Sequence, residues 1–354
     1  VSYGKGKNPS QWIELITSNN QVDNGILYKD FSASLLDVEE NYLKLEVWNK
    51  DNKFEIKNLV IKLEPNTRRI TKYLTTQRCP AIYKDKIVWY DYNFDDRIYM
   101  YDLSTNTEKK IATNSKMWPP WPDIICPAIY KDKIVWHYEN GINGNFDIYL
   151  YDLSTNTEKR ITTDSARQWS PAIYGDKIVW YDDRNRNDDI YLYDLSTNTE
   201  KRITTNDRQQ SDPAIYGDKI VWSDYRNGND DDIYLYDLST NTEKRITTNA
   251  YNQQNPAIYG DKIVWQDGRN GNYDIYLYDL STNTERQITS DPSYQFYPAI
   301  YEDKIVWEDD RNNKNEKDNI YDLDIYLYDL STNTERRITT NAYNQQNPAI
   351  YGDK

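Results

Sequence analysis

Histidine occurs once in the 354 residues, cysteine and methionine twice each, and phenylalanine five times. Each scarcity removes a class of function. The lone imidazole, His137, cannot build a multi-histidine metal centre or a His-based acid and base pair. Cys79 and Cys126 are too few for a disulfide framework and leave the redox compartment open. No apolar run approaches the roughly 18 residues of a membrane-spanning helix. Bases are outnumbered, 43 Lys and Arg against 57 Asp and Glu, for a formal charge of −14. That balance argues against nucleic acid or an anionic membrane as the main partner, because phosphate is bound by clustered Lys and Arg. No Gly-x-Ser-x-Gly elbow is present, so the chain offers no serine nucleophile of that kind.

What is abundant is aromatic: 34 Tyr and 11 Trp supply a core that hydropathy alone does not register. They recur in register. Pro-Ala-Ile-Tyr-x-Asp-Lys-Ile-Val-Trp begins at Pro80, Pro127, Pro171, Pro213, Pro256 and Pro298, with a shorter copy at Pro348, at spacings of 47, 44, 42, 43, 42 and 50. Each full copy runs on through a polar loop into Ile-Tyr-Leu/Met-Tyr-Asp-Leu-Ser-Thr-Asn-Thr-Glu and a short Lys/Arg-Ile-Thr segment. A period of about 40 to 50 residues is that of propeller blades.

One copy reads as four strands: Ala172 to Tyr174, Lys177 to Tyr181, Ile190 to Leu195 and Lys201 to Thr204. Gly175-Asp176 suits a tight hairpin, and Ser196-Thr197-Asn198-Thr199 a turn closed by its own side chains. The third strand carries large side chains on both faces, as blades stacked around an axis require. No apolar i, i+3, i+4 stripe is present, which excludes a helical repeat. The fold class is therefore an all-β propeller of four-stranded blades.

Six clear blades occupy residues 80 to 340. Trp48 to Ile70 spans the same 22 residues as Trp89 to Ile111, which predicts a diverged blade at 26 to 75. Its inner strand would come from residues 348 to 354, making seven blades closed by the chain end. The alternative is a six-bladed ring beside a small N-terminal β domain. Residues 1 to 25 read as an arm or a short helix around Gln11 to Ile16.

The units Pro-Ala-Ile-Tyr-Gly-Asp-Lys-Ile-Val-Trp and Asp-x-Arg-Asn-Gly-Asn-x-Asp-Ile-Tyr-Leu-Tyr-Asp-Leu resemble the WD40-like repeats of TolB-type β-propellers, in particular the propellers of archaeal cell-surface and secreted proteins. The resemblance covers residues 80 to 354 and, more weakly, 26 to 79. It implies a scaffold for protein interaction outside the cell, with no cofactor.

In a propeller the loops from fourth to first strand share a face with those from second to third, and here both sets vary between copies. The first set supplies candidate ligand-binding residues Trp118, Trp121, Trp169, Gln209, Gln210, Tyr251, Gln253, Gln254, Tyr294, Phe296, Tyr343 and Gln345. Aromatic planes with amides suit sugars or an extended peptide. The second set repeats Asp and Arg two and four residues after Trp: Asp182 and Arg184, Asp224 and Arg226, Asp267 and Arg269, Asp309 and Arg311. These are expected to be structural ion pairs, because Arg stands where a calcium loop wants an oxygen ligand. No metal is expected.

The resulting expectation is a noncatalytic scaffold binding protein or glycan through the variable face. The rival readings are a carbohydrate-active enzyme using funnel carboxylates and a structural surface-layer spacer. Cys79 and Cys126, each just before a Pro in adjacent copies, are expected to be free thiols, since neighbouring blades often hold their Cα atoms more than about 7 Å apart.

Overall fold

A computed structural model describes residues 69–71, 76–92, 97–112, 126–139, 145–228, 230–312, 323–340 and 344–352, together with three short N-terminal strands. The chain divides into two units, Val1–Lys72 and Tyr73–Lys354. In the first, Ser2–Lys5 pairs antiparallel with both Ile13–Glu14 and Asn41–Lys44 in a three-stranded sheet. The expected helix around Gln11 to Ile16 is thus partly strand, and Asn41–Lys44 pairs with Ser2–Lys5 rather than with the chain end. Of the rest of the expected diverged blade, residues 69–71 are described and form no strand, and the other residues lie outside the described ones.

The second unit contains six four-stranded antiparallel sheets, each a meander in sequence order. Blade 3 is typical: Gln168–Tyr174, Lys177–Asp182, Asp189–Asp194 and Thr199–Arg202. Alternation explains the sequence motif. On its second strand, Ile178 and Trp180 face blade 2, packing with Val135, Ile148 and Leu150. Val179 points the other way, joining Ile190 and Leu192 against Ile220 and Trp222 of blade 4. Every sheet is therefore apolar on both faces, and each Trp stacks on the cross-strand Tyr, as Trp180 does on Tyr191 at 6.1 Å.

The outer turns are equally regular. Asn198 sits at φ 54°, a left-handed conformation that Asn tolerates better than most residues, and its counterparts Asn106, Asn156, Asn241, Asn283 and Asn333 do the same. Asp194 Oδ1 accepts from the Ser196 amide at 2.8 Å and its hydroxyl at 2.5 Å, closing the turn. Those hydrogen bonds hold the Asp194 carboxyl below its ordinary range.

Closure departs from the seven-blade expectation. The described residues form six four-stranded blades, which matches the alternative; residues 344–352 contribute no strand. The ring nevertheless has seven positions. The Tyr ending each first strand contacts the next, from Tyr83 through Tyr130, Tyr174, Tyr216, Tyr259 and Tyr301 to Tyr351, which returns to Tyr83; centroids are 4.5 to 5.0 Å apart throughout. Tyr351 wedges between blades 6 and 1, at 4.5 Å from Tyr301 and 4.9 Å from Tyr83. Asn347 is held by Glu308 of blade 6, whose carboxylate accepts its amide at 2.5 Å.

The cysteines are also corrected. Cys79 and Cys126 form a disulfide between blades 1 and 2, with Cα atoms 5.0 Å apart. First strands converge at the axis, so the spacing typical of outer blade positions does not apply there.

Candidate functional site

At the mouth built from the variable loops, the first strands of blades 3 to 6 begin with a buried Gln. Gln168, Gln210, Gln253 and Gln295 are fully buried. The Gln210 and Gln253 amides donate at 2.8 Å to the carbonyls of Asp188 and Asp231 in the preceding blade, and their side-chain Nε2 atoms hold the carbonyls of Arg208 and Tyr251. These two candidate ligand residues therefore serve as clasps between blades. The Gln345 amide makes the same clasp to the Leu323 carbonyl at 2.8 Å. Gln254 reaches the Asp231 carboxylate and accepts from Tyr273 at 3.4 Å, whereas Gln209 is exposed. Trp118, Trp121 and Tyr343 lie outside the described residues.

The exposed large hydrophobic side chains among the described residues are Tyr251, Tyr294 and Tyr297, 53%, 42% and 51% accessible. All three stand at this mouth, on blades 5 and 6. Tyr294 stacks on Phe296, nearly parallel at 5.6 Å, and Phe296 contacts Tyr273 at 5.7 Å and Tyr297 at 6.4 Å. Such a contiguous aromatic surface with hydroxyl edges is a site for stacking and hydrogen bonding together. A smaller cluster occupies blades 2 and 3. There Trp169 is half-buried between Phe146 at 6.1 Å and Tyr181 at 5.3 Å, with the Arg167 guanidinium 4.6 Å from its ring.

The second-to-third-strand loops are braced by ions. Arg184 places Nε at 2.9 Å and Nη2 at 2.6 Å from the buried Asp182 carboxylate, and Nη1 at 2.7 Å from Glu200. Its guanidinium lies 4.3 Å from the Tyr191 ring. Arg226 and Asp224 meet at 2.5 Å, Arg269 and Asp267 at 2.5 Å, and Arg311 and Asp309 at 2.6 Å. A second layer pairs Arg160, Arg202, Arg245 and Arg337 with Asp147, Asp189, Asp232 and Asp324. Among the described residues no group of three or more His, Cys, Asp or Glu is placed to hold a metal.

Along the second strands, the residue after each Trp faces the next blade. Gln266 Oε1 accepts from the Tyr297 amide at 3.1 Å, as Glu308 does from Asn347. His137 holds this position in blade 2, buried with Phe146 at 5.8 Å, and burial pushes its pKa down to about 4. Its folded pKa thus lies below the ordinary 6.5. The unfolded chain binds the extra proton between those values, and stability is lost as pH falls through that window. We expect unfolding titrations at pH 7 and pH 5 to show a steeper loss in the natural protein than in His137→Gln. Parallel losses would show that the imidazole is not the group responsible.

The opposite mouth carries a further feature of the repeat motif, the seven-tyrosine collar. Burial, followed by the hydrogen bond to Tyr174, pushes Tyr130 up to about 12, and Tyr216 and Tyr301 are raised for the same reasons.

Comparison with solved structures identifies this geometry. TolB from Acinetobacter baumannii superposes with a TM-score of 0.51 at 21% identity, covering 65% of this chain and 58% of TolB. The fold is a TolB-type β-propeller. An acylaminoacyl peptidase from Pyrococcus horikoshii gives 0.55 at 16% identity, over 75% of this chain and 45% of the peptidase. An oligogalacturonate lyase in complex with manganese gives 0.50 at 15%, over 72% and 73%. This TolB-type propeller thus spans little more than half of TolB and less than half of the peptidase. No protein-family model and no curated protein sequence matches it.

Proposed function

We propose that this propeller is a noncatalytic interaction scaffold, outside the cytoplasm at the cell surface or secreted, that binds an extended polypeptide across the aromatic mouth of blades 5 and 6. The observation that carries this reading is the aromatic cluster of Tyr294, Phe296 and Tyr297, with Tyr251 exposed at the start of blade 5, where the other large apolar side chains among the described residues are covered. The engagement of the loop carboxylates by arginines supports a scaffold over an acid and base enzyme. The disulfide fits an oxidising compartment, and no helix among the described residues is long and apolar enough to cross a membrane.

Screening the intact chain against a displayed peptide library and a glycan array tests the ligand class. Tyr294→Ala and Tyr251→Ala should each weaken peptide binding by about 1 to 3 kcal/mol, as truncation of an aromatic anchor does, with the melting temperature unchanged. Binding that survives both substitutions refutes the site. Recognition of glycans alone moves the partner to that class.

A further inference from the structure

Behind the aromatic mouth lies a cavity of about 300 Å³ on the axis, lined by the Cys79–Cys126 disulfide, prolines of successive first strands, Asp212, Asn255, Tyr297 and Asn347. Its shape comes from a repeated bulge. Register slips between Ser211 and Ala214, Gln254 and Ala257, and Phe296 and Ala299. In these three blades the residue before the Pro takes a positive φ, 53° at Asp212, 53° at Asn255 and 49° at Tyr297. Tyr297 belongs both to this wall and to the exposed aromatic cluster, so cavity and mouth are continuous.

Two observations make the cavity a site. First, Asp212 stands half-buried on the cavity wall with no arginine on it, unlike the loop carboxylates. Buried Asp182, Asp224, Asp267 and Asp309 each lie on an arginine, as a charge taken out of water requires. Asp212 receives a hydrogen bond from Ser211 Oγ at 3.0 Å, and no Lys, Arg or His is among the residues lining the cavity. Burial and the Asp231 charge hold its carboxyl above the ordinary range. Secondly, Ser223 Oγ, 1% exposed, makes no hydrogen bond. Ser223 stands where Gln266 and Glu308 reach the wall residue of the next blade; here that residue is Asn255, and the serine is too short to replace a Gln or Glu.

We propose that this cavity is a subsite for a primary alkylammonium group, supplied as a lysine side chain of the bound polypeptide. This deepens the proposed function and rests on it for the source of the lysine. An ammonium brings three donors and no acceptor, matching the acceptors on the cavity wall, the Asp212 carboxylate and the amide oxygen of Asn255. The prolines and disulfide give its methylene stem an apolar wall, the usual environment of a lysine stem.

Calorimetry on the intact chain tests the subsite with n-butylammonium, 1-pentanol as the neutral control, and the peptide Gly-Gly-Lys-Gly-Gly. Asp212→Asn and Asp212→Ser introduce residues that sister blades carry at this position, as Asn255 and Ser170, so both should fold. The natural chain should bind n-butylammonium at least about tenfold more tightly than 1-pentanol, the scale of a charge-assisted hydrogen bond, and both variants should lose that preference. Equal binding by natural chain and variants, or no preference over the alcohol, overturns the subsite. The peptide should bind more tightly than n-butylammonium and weaken in Tyr294→Ala while n-butylammonium does not. If the peptide gains nothing, a free amine is the ligand and the lysine assignment falls. If Asp212 variants leave Tyr294-dependent peptide binding intact, the subsite fails and the scaffold reading stands.

Discussion

Ending the chain at Gln346 should lower the free energy of unfolding by about 3 to 6 kcal/mol. Residues 347–352 form the seventh position of a ring with six full blades among the described residues. Removing them takes away the half-buried Tyr351, whose ring bridges Tyr301 and Tyr83, and uncovers apolar surface on the two flanking blades; full burial of a large apolar side chain is worth about 1.5 to 3 kcal/mol, and Tyr351 contributes part of that. Glu308, 1% exposed, also loses the Asn347 amide and side chain that it accepts from. A buried acceptor left unsatisfied costs about 1 to 3 kcal/mol, more when charged. Urea denaturation of the two chains checks this. Coincident curves would mean that the ring does not depend on its terminal segment. Tyr351→Ala alone should give a smaller loss, because Asn347 and Glu308 remain paired.

Asp224→Ala should cost about 3 to 5 kcal/mol, the scale of breaking a buried ion pair on one side. The carboxylate is fully buried and accepts from Trp222 Nε1 at 2.8 Å, the Arg226 amide at 3.0 Å and Arg226 Nη2 at 2.5 Å. Its loss strands the indole N–H inside the blade and a guanidinium that is 17% exposed. Arg226 still reaches Glu243 at 2.5 Å, so Arg226→Met should recover part of the loss when added to Asp224→Ala. A double-mutant cycle by chemical denaturation measures the coupling. A loss below about 1 kcal/mol for Asp224→Ala would show that the carboxylate is not what braces the loop.

The blade was legible because its period and its alternation are both local. Ile178, Val179 and Trp180 announce a strand buried on two faces, and Asp194 to Thr199 announces a turn with Asn in the left-handed position. The Asp and Arg pairs could be read because each sits two residues apart on one loop. The candidate site was read less well. Gln210 and Gln253 share their loops with Tyr251 and look equally available, yet a clasp to the Asp188 or Asp231 carbonyl pulls them under the surface. No spacing within one copy reports which side chain meets a backbone group in the neighbouring blade.

What the sequence by itself determined is the blade: four strands, apolar on both faces, repeated six times, since short-range pattern suffices to specify it. The closure of the ring was decided only by the tertiary structure. Seven positions with six full blades, the 5.0 Å approach of Cys79 and Cys126, the tyrosine collar and the axial place of Asp212 all depend on how far each blade rotates relative to the last. That rotation is the sum of packing at every interface between blades. It brings together residues that are 47 or more positions apart, such as Cys79 with Cys126 and Tyr83 with Tyr351, and no local periodicity carries that information.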